Sequence, residues 1–210
     1  APGNVACAAQ AFGLETAFIG AVGKDAFGKL LKDALESYQV DTRGVQVLEG
    51  VMTTLAFGSL GDEGKREFAF ARKGSADTLL ELDETQEEIL ESTRALHFGT
   101  LSFTDEPSRT ATLEAIAKVE NQGGIISFDP NVRLNLWDKL EDLKAAYKEG
   151  MKHTSILKIS DEDFASLEGP LEPENLEQTL AKLFEGPLQL LLLTLGRDGA
   201  RAYWKGGAGF

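Results

Sequence analysis

Apolar residues fall along this chain in two recurring patterns, short continuous runs and stripes at helical spacing. Runs bounded by glycine or polar clusters read as strands, and stripes recurring every three to four positions read as helices. Asn4 is placed to cap an alanine-rich helix over residues 5–12 that stops at Gly13. Thr16-Ala17-Phe18-Ile19-Gly20-Ala21-Val22 predicts a strand ending in Gly23-Lys24-Asp25. Leu30, Leu31, Ala34, Leu35 and Tyr38 then mark one face of a helix over residues 26–39, and Val45-Gln46-Val47 follows as a short strand.

The next stretch breaks this order. Thr54-Leu55-Ala56-Phe57 and Glu67-Phe68-Ala69-Phe70 flank the turn signal Gly61-Asp62-Glu63-Gly64, which predicts an antiparallel hairpin within residues 50–75. An insertion of this kind pads a sheet edge or reaches out as a lid. Alternation then resumes. Ala95-Leu96-His97-Phe98-Gly99 predicts a strand, residues 107–121 a helix, and Gly124-Ile125-Ile126-Ser127-Phe128 a buried strand. Asp138 is placed to cap a helix carrying Leu140, Leu143, Tyr147 and Met151 on one stripe. Strands over 155–159, 188–195 and 200–204 enclose a short helix from Asp161 and another over 175–184. Strands separated by helices of about 10–15 residues mean βαβ units. The predicted fold is therefore α/β: one domain over residues 1–210, a doubly wound, mostly parallel sheet flanked by helices, with a small β-hairpin insertion. Leu190-Leu191-Leu192-Leu193 suits a central strand buried on both faces.

A chain of 210 residues is long enough to bury a sizeable core. Its formal charge of −13 argues against non-specific nucleic-acid binding and against an anionic membrane surface. An anionic substrate stays open, because Arg72, Arg133 and Lys158 can be placed locally. Cys7 is the single cysteine, which removes disulfide frameworks and cysteine zinc sites, and it reads as a small buried filler. His97 and His153 lack metal-ligand spacing and read as structural. No apolar run approaches about 18 residues and no signal peptide is visible, so a cytoplasmic protein is expected.

The chemistry concentrates after the strand ending at Phe128. Pro130 cannot donate to a sheet ladder, so a loop opens there carrying Asp129, Asn131 and Arg133. Ligands of open α/β sheets bind at that carboxyl edge. Arg133 offers a planar fork for phosphate or carboxylate, and Asp129 and Asn131 suit hydroxyls. Ser160-x-x-Asp163 at another strand end is either a capping pair or a place for phosphate and a hydrated magnesium ion. Thr194-Leu195-Gly196-Arg197-Asp198-Gly199 closes the most apolar strand with a glycine turn that lets backbone N–H groups approach a ligand. The chain has no G-x-x-x-x-G-K-S/T loop, no strand-borne G-x-G-x-x-G and no G-x-S-x-G.

In order, these motifs resemble those of the ribokinase-like (PfkB) carbohydrate kinases, and most of all the fructokinases among them. Ala1-Pro2-Gly3-Asn4 with Gly13, then Gly20-x-x-Gly23-x-Asp25-x-x-Gly28, resembles the N-terminal signature without its leading glycine pair. Phe128-Asp129-Pro130-Asn131-x-Arg133 with Leu136-Trp137 resembles the fructokinase loop, as does Ser75-Ala76-Asp77. Lys158-Ile159-Ser160-x-x-Asp163 resembles the N-x-x-E region, with Ser and Asp in place of Asn and Glu. Thr194-x-Gly196-x-x-Gly199 resembles the nucleotide turn.

The resemblance implies transfer of the ATP γ-phosphate to a sugar hydroxyl, with ATP and Mg²⁺ as cofactors and a monovalent cation as a further candidate. It also implies a hairpin lid used in homodimerisation. By position, Asn4, Asp25, Arg72 and Asn131 fall on the substrate side, and Arg133 stabilises the transferring phosphate. Ser160, Asp163, Thr194, Gly196 and Gly199 fall on the nucleotide side, with Asp163 meeting the metal through water. Fructose is the expected substrate. The same chemistry on ribose, 2-keto-3-deoxygluconate or a nucleoside is the alternative, and a non-catalytic binding protein of this fold is the alternative of another class. The family's base is an Asp in a G-A-G-D stretch, whereas Phe210 follows Gly207-Ala208-Gly209 here, and the first strand with its sugar-binding Asp is not seen. Loss of a general base costs roughly 10²–10⁴-fold. The sequence is therefore expected to be part of a longer protein, incomplete at both ends.

Overall fold

The computed structural model describes residues 2–60 and 66–209, so the turn signal at Gly61-Asp62-Glu63-Gly64 lies outside the described residues. The chain forms two compact units. One gathers Pro2–Ser92 with Thr104–Leu113, the other Thr93–Phe103 with Glu114–Phe210.

In the first unit, α1 spans Pro2–Ala11. Proline tolerates the first turn of a helix because its missing N–H would have no partner there. Asn4 accordingly stands inside that turn, exposed, and not at the expected capping position. Cys7 is half-buried in the same helix. β1 (Gly20–Gly23) pairs in parallel with β2 (Val45–Leu48) across α2 (Ala26–Ser37). The strand is shorter than its apolar run predicts, since ahead of Gly20 the chain makes only an isolated bridge from Ala17 to Asp41. Leu30 and Leu31 of α2 and Tyr38 at its C-cap are 64%, 48% and 58% exposed, so the stripe read from helical spacing is open here. β3 (Leu55–Leu60) and β4 (Arg66–Ala71) form the predicted antiparallel hairpin, in register from Leu55 opposite Ala71 to Leu60 opposite Arg66. In one buried cluster, Ala21, Ala76, Leu80 and Ala111 pack with Ile19, Leu48, Val51 and Leu82. In α3 (Glu84–Ser92), Ile89 and Leu90 turn inward, and the buried Gln86 amide reaches the Gly44 carbonyl.

The second unit is built on six strands in the order β10-β9-β8-β7-β6-β5. β5 (Ala95–Gly99), β6 (Ile125–Asp129), β7 (Ile156–Ser160) and β8 (Leu190–Thr194) run parallel, and β9 (Ala200–Trp204) and β10 (Gly207–Gly209) run antiparallel. The connecting helices are α4 (Ser108–Asn121), which enters this unit at Glu114, α5 (Leu140–Met151), α6 (Asp161–Leu167) and α7 (Pro173–Leu183). Asp138 does not cap α5. Lys139 occupies that position with no side-chain bond to the helix.

One face of the sheet is sealed. Ile126, Phe128, Leu157, Ile159, Leu191 and Leu193 are at most 1% exposed, and Phe128 stacks on Phe98 with ring centroids 4.5 Å apart. Gly150 lets α5 meet this stack, because a Cβ there would stand 3.1 Å from the Phe128 ring. Leu190 and Leu192 are only half-buried, which differs from the expectation of burial on both faces. Strand side chains alternate between faces, and the sealed one takes Leu191 and Leu193.

Candidate active site

Three adjacent strands, β6, β7 and β8, end on one edge of the second unit, and each releases a polar segment there. After β6, the Asp129 side chain is 10% exposed and its Oδ1 accepts the Asn131 N–H at 3.2 Å. Asn131 adopts φ +43°, a left-handed conformation that asparagine tolerates better than most residues. The Arg133 guanidinium donates from Nη1 to the Val132 carbonyl at 2.7 Å. From the neighbouring strand end, buried Thr100 donates its hydroxyl to the Pro130 carbonyl at 2.6 Å.

β7 supplies two anchors for this loop. Lys158 Nζ lies 3.1 Å from Asp129 Oδ2, across the strand pair. Ser160 caps α6 by accepting the Asp163 N–H at 3.1 Å, and Asp163 Oδ2 accepts the Val132 N–H at 3.2 Å. Burial pushes the Asp163 carboxyl above its ordinary range, and the Val132 N–H and Ser160 pull partly against that. The capping reading of Ser160-x-x-Asp163 is thus realised, with Asp163 also holding the loop.

At the end of β8, Thr194 lies opposite Ser160 in the register. Gly196 has φ +55° and Gly199 φ +93°, conformations that a side chain resists, and nothing stands within 4 Å of the place a Cβ would take at either. The turn is closed by the Leu195 N–H donating to Gly199 O at 2.8 Å and the Asp198 N–H to Leu195 O at 3.0 Å. An open glycine backbone suits the approach of a flat or phosphorylated ligand. Magnesium needs few direct carboxylates and retains water. Among the described residues no group of three His, Cys, Asp or Glu is arranged as a metal cage. Asp163 lies near enough to Asp129 for that carboxylate to push its pKa further up.

Arg133, Asn131, Ser160, Asp163, Thr194, Gly196 and Gly199 are therefore brought to one edge. Asn4, Asp25 and Arg72 belong to the first unit. There the Asp25 carboxylate caps α2 through the Gly28 N–H at 2.8 Å, and holds the Thr53 N–H at 2.8 Å and the Thr53 hydroxyl at 2.9 Å. These donors hold its pKa below the usual carboxylate range. Arg72 is buried between Asp77 and Asp105. Sequence reasoning did not reach Thr100 or the bond between Lys158 and Asp129. The available signal was that Thr100 directly follows a strand, and that Lys158 is a charge inside a mostly apolar one.

A family model described as pfkB family carbohydrate kinase matches residues 1–210. The chain belongs to the pfkB family of carbohydrate kinases. Among curated relatives of this pfkB chain is "Probable fructokinase-4" of Arabidopsis thaliana, 37% identical over 98% of the chain and 62% of the relative. The chain thus spans about three-fifths of the length of such relatives. Two solved structures are similar throughout. A fructokinase from Xylella fastidiosa with bound ATP has a TM-score of 0.87 at 30% identity, covering 100% of this chain and 66% of its own. A fructokinase from Vibrio cholerae O395 bound to fructose, ADP and calcium ion has a TM-score of 0.86 at 30% identity, with the same coverages. The mostly parallel α/β fold of the pfkB chain agrees with these neighbours. Among the described residues no helix is long and apolar enough to cross a membrane.

Proposed function

We propose that this pfkB chain serves an ATP-dependent fructokinase that moves the γ-phosphate to a primary hydroxyl of fructose. The observation that carries this reading is the convergence of the Asp129–Arg133 segment, Ser160 with Asp163, and the Thr194–Gly199 turn on one edge of the parallel strands. Phosphoryl transfer rests mainly on positioning and charge stabilisation, which such an edge can supply. ATP with Mg²⁺, when bound, provides the phosphoryl group and most of the countercharge. Arg133 would stabilise charge on the transferring group, and Asn131 would orient the sugar. Thr194, Gly196 and Gly199 would line the nucleotide side. Ser160 and Asp163 would hold the phosphate side, Asp163 through water. No base is assigned among the described residues.

In this reading Asn4 and Asp25 belong to the sugar side, and residues 1–210 are one ribokinase-like domain with residues 50–75 as its lid. The hairpin would also join two copies, since Phe57 and Phe68 are 60% and 42% exposed on it. A monovalent cation and a cytoplasmic setting complete the proposal. The test is Arg133→Ala in the active enzyme, with fructose, ribose and 2-keto-3-deoxygluconate as acceptors. The expected result is a loss of about 10²–10³ in kcat/KM for fructose, with an unchanged circular dichroism spectrum. Near-normal fructose phosphorylation by the variant refutes the role given to Arg133, and preference for another acceptor refutes fructose.

A further inference from the structure

The hairpin leaves and rejoins the first unit at two feet, and a carboxylate fixes each of them. At the entering foot, Asp25 holds the backbone and hydroxyl of Thr53, and the Gly23 N–H donates to the Thr53 hydroxyl at 3.0 Å. At the returning foot, the Arg72 side chain is only 7% exposed. Its Nε donates to Asp77 Oδ2 at 2.7 Å, and its Nη1 donates to Asp105 Oδ2 at 3.2 Å and to the Thr104 hydroxyl. Ser75 donates its hydroxyl to the Arg72 carbonyl at 2.7 Å. Short hydrogen bonds link Thr54 to Ser75 and to Asp77 Oδ1, so the two feet are also tied to each other. Thr54 directly precedes β3 and Arg72 directly follows β4.

We propose that Arg72 is a positioning residue, a clasp that turns the base of the hairpin into a fixed hinge. Motion of the hairpin is then taken up between Thr54 and Arg72, and the body of the unit stays still. Arginine suits this because its planar fork engages Asp77 and Asp105 from different edges at once, which a lysine ammonium cannot do. Of the two carboxylates on this guanidinium, Asp105 is the more exposed, its side chain 48% exposed against 37% for Asp77. The inference rests on the lid reading proposed above, but its first test does not depend on catalysis.

That test is hydrogen exchange followed by mass spectrometry on the protein and its variants. Arg72→Lys is expected to speed exchange of the β3 and β4 amides about tenfold while leaving those of β5 to β8 unchanged. Asp105→Asn, which alters only the outer partner, is expected to give a smaller acceleration, and it keeps the test alive where Arg72→Lys does not fold. Unchanged hairpin exchange in the folded variants overturns the clasp. The second readout is catalytic, in the active enzyme. Arg72→Lys is expected to raise sugar-independent ATP hydrolysis relative to sugar phosphorylation by about tenfold, because a loosened lid admits water. A proportionate fall in both activities overturns the hinge role, and so does a raised sugar KM with unaltered hairpin exchange. If the parent enzyme phosphorylates no sugar while hairpin exchange still responds, the kinase reading fails and the clasp stands.

Discussion

The ion pair between Asp129 and Lys158 sets how firmly the loop after β6 is held, and its strength can be worked from the geometry. Nζ and Oδ2 are 3.1 Å apart. Coulomb's law at that distance gives about 1.3 kcal/mol in water and about 5 kcal/mol at an effective dielectric of 20. The lysine side chain is 40% exposed and the aspartate 10%, so solvent draws the net value toward the lower figure. A coupling of about 1–2 kcal/mol follows. The two single changes should be unequal. Asp129→Asn keeps an oxygen for the Asn131 N–H and leaves a lysine that can reach water, costing about 1 kcal/mol. Lys158→Met strands a buried carboxylate and should cost about 2 kcal/mol or more. Adding Asp129→Asn to Lys158→Met removes that stranded charge, so the double variant should be no less stable than Lys158→Met alone. Urea unfolding of the four proteins measures this cycle. With m about 2–3 kcal/mol/M, Lys158→Met should lower the midpoint by about 0.7–1 M. Strictly additive losses would show that the two groups do not interact, and the account of the loop would be wrong.

Two further outcomes follow from single residues. Asn131 holds φ +43°, so Asn131→Gly should leave thermal stability within about 0.5 kcal/mol, and Asn131→Val should lose about 1–2 kcal/mol; equal Tm values for the two would contradict the left-handed turn. Burial pushes the His97 imidazole below its ordinary pKa of 6.5, with Nδ1 against the Ser127 hydroxyl at 2.9 Å and Nε2 buried. The unfolded chain therefore takes up this proton more readily. The contribution is fully present above pH 6.5 and is lost as pH falls through the folded value. Asp163, raised by burial, carries the opposite sign, so the informative quantity is the difference between proteins. The fall in Tm between pH 7 and pH 5 should be smaller in His97→Asn than in the parent, and identical slopes would count against the buried neutral imidazole.

Period and punctuation alone were enough to read the alternation of strands and helices, the hairpin, and the polar segment after Phe128. A run of two-period or continuous apolar residues has few ways to be buried, and Pro130 stops a ladder in any context. The pairing of Ser160 with Asp163 was legible for the same reason, since both groups lie within one helical turn. Other features depend on residues far apart in the chain. The stripe on α2 is helical but open, because helical spacing says which residues share a face and not what packs on it. Leu190 and Leu192 look like Leu191 and Leu193 in the sequence, and only the placement of the covering elements separates them. Lys158 reaching Asp129, Thr100 reaching the Pro130 carbonyl and Arg72 closing on Asp77 and Asp105 all join separate strands or loops. Residue type announced that these groups could make hydrogen bonds or ion pairs. Which partner each one took was decided by strand order and loop packing, because a charge or hydroxyl acts only over the few ångströms that the tertiary fold sets.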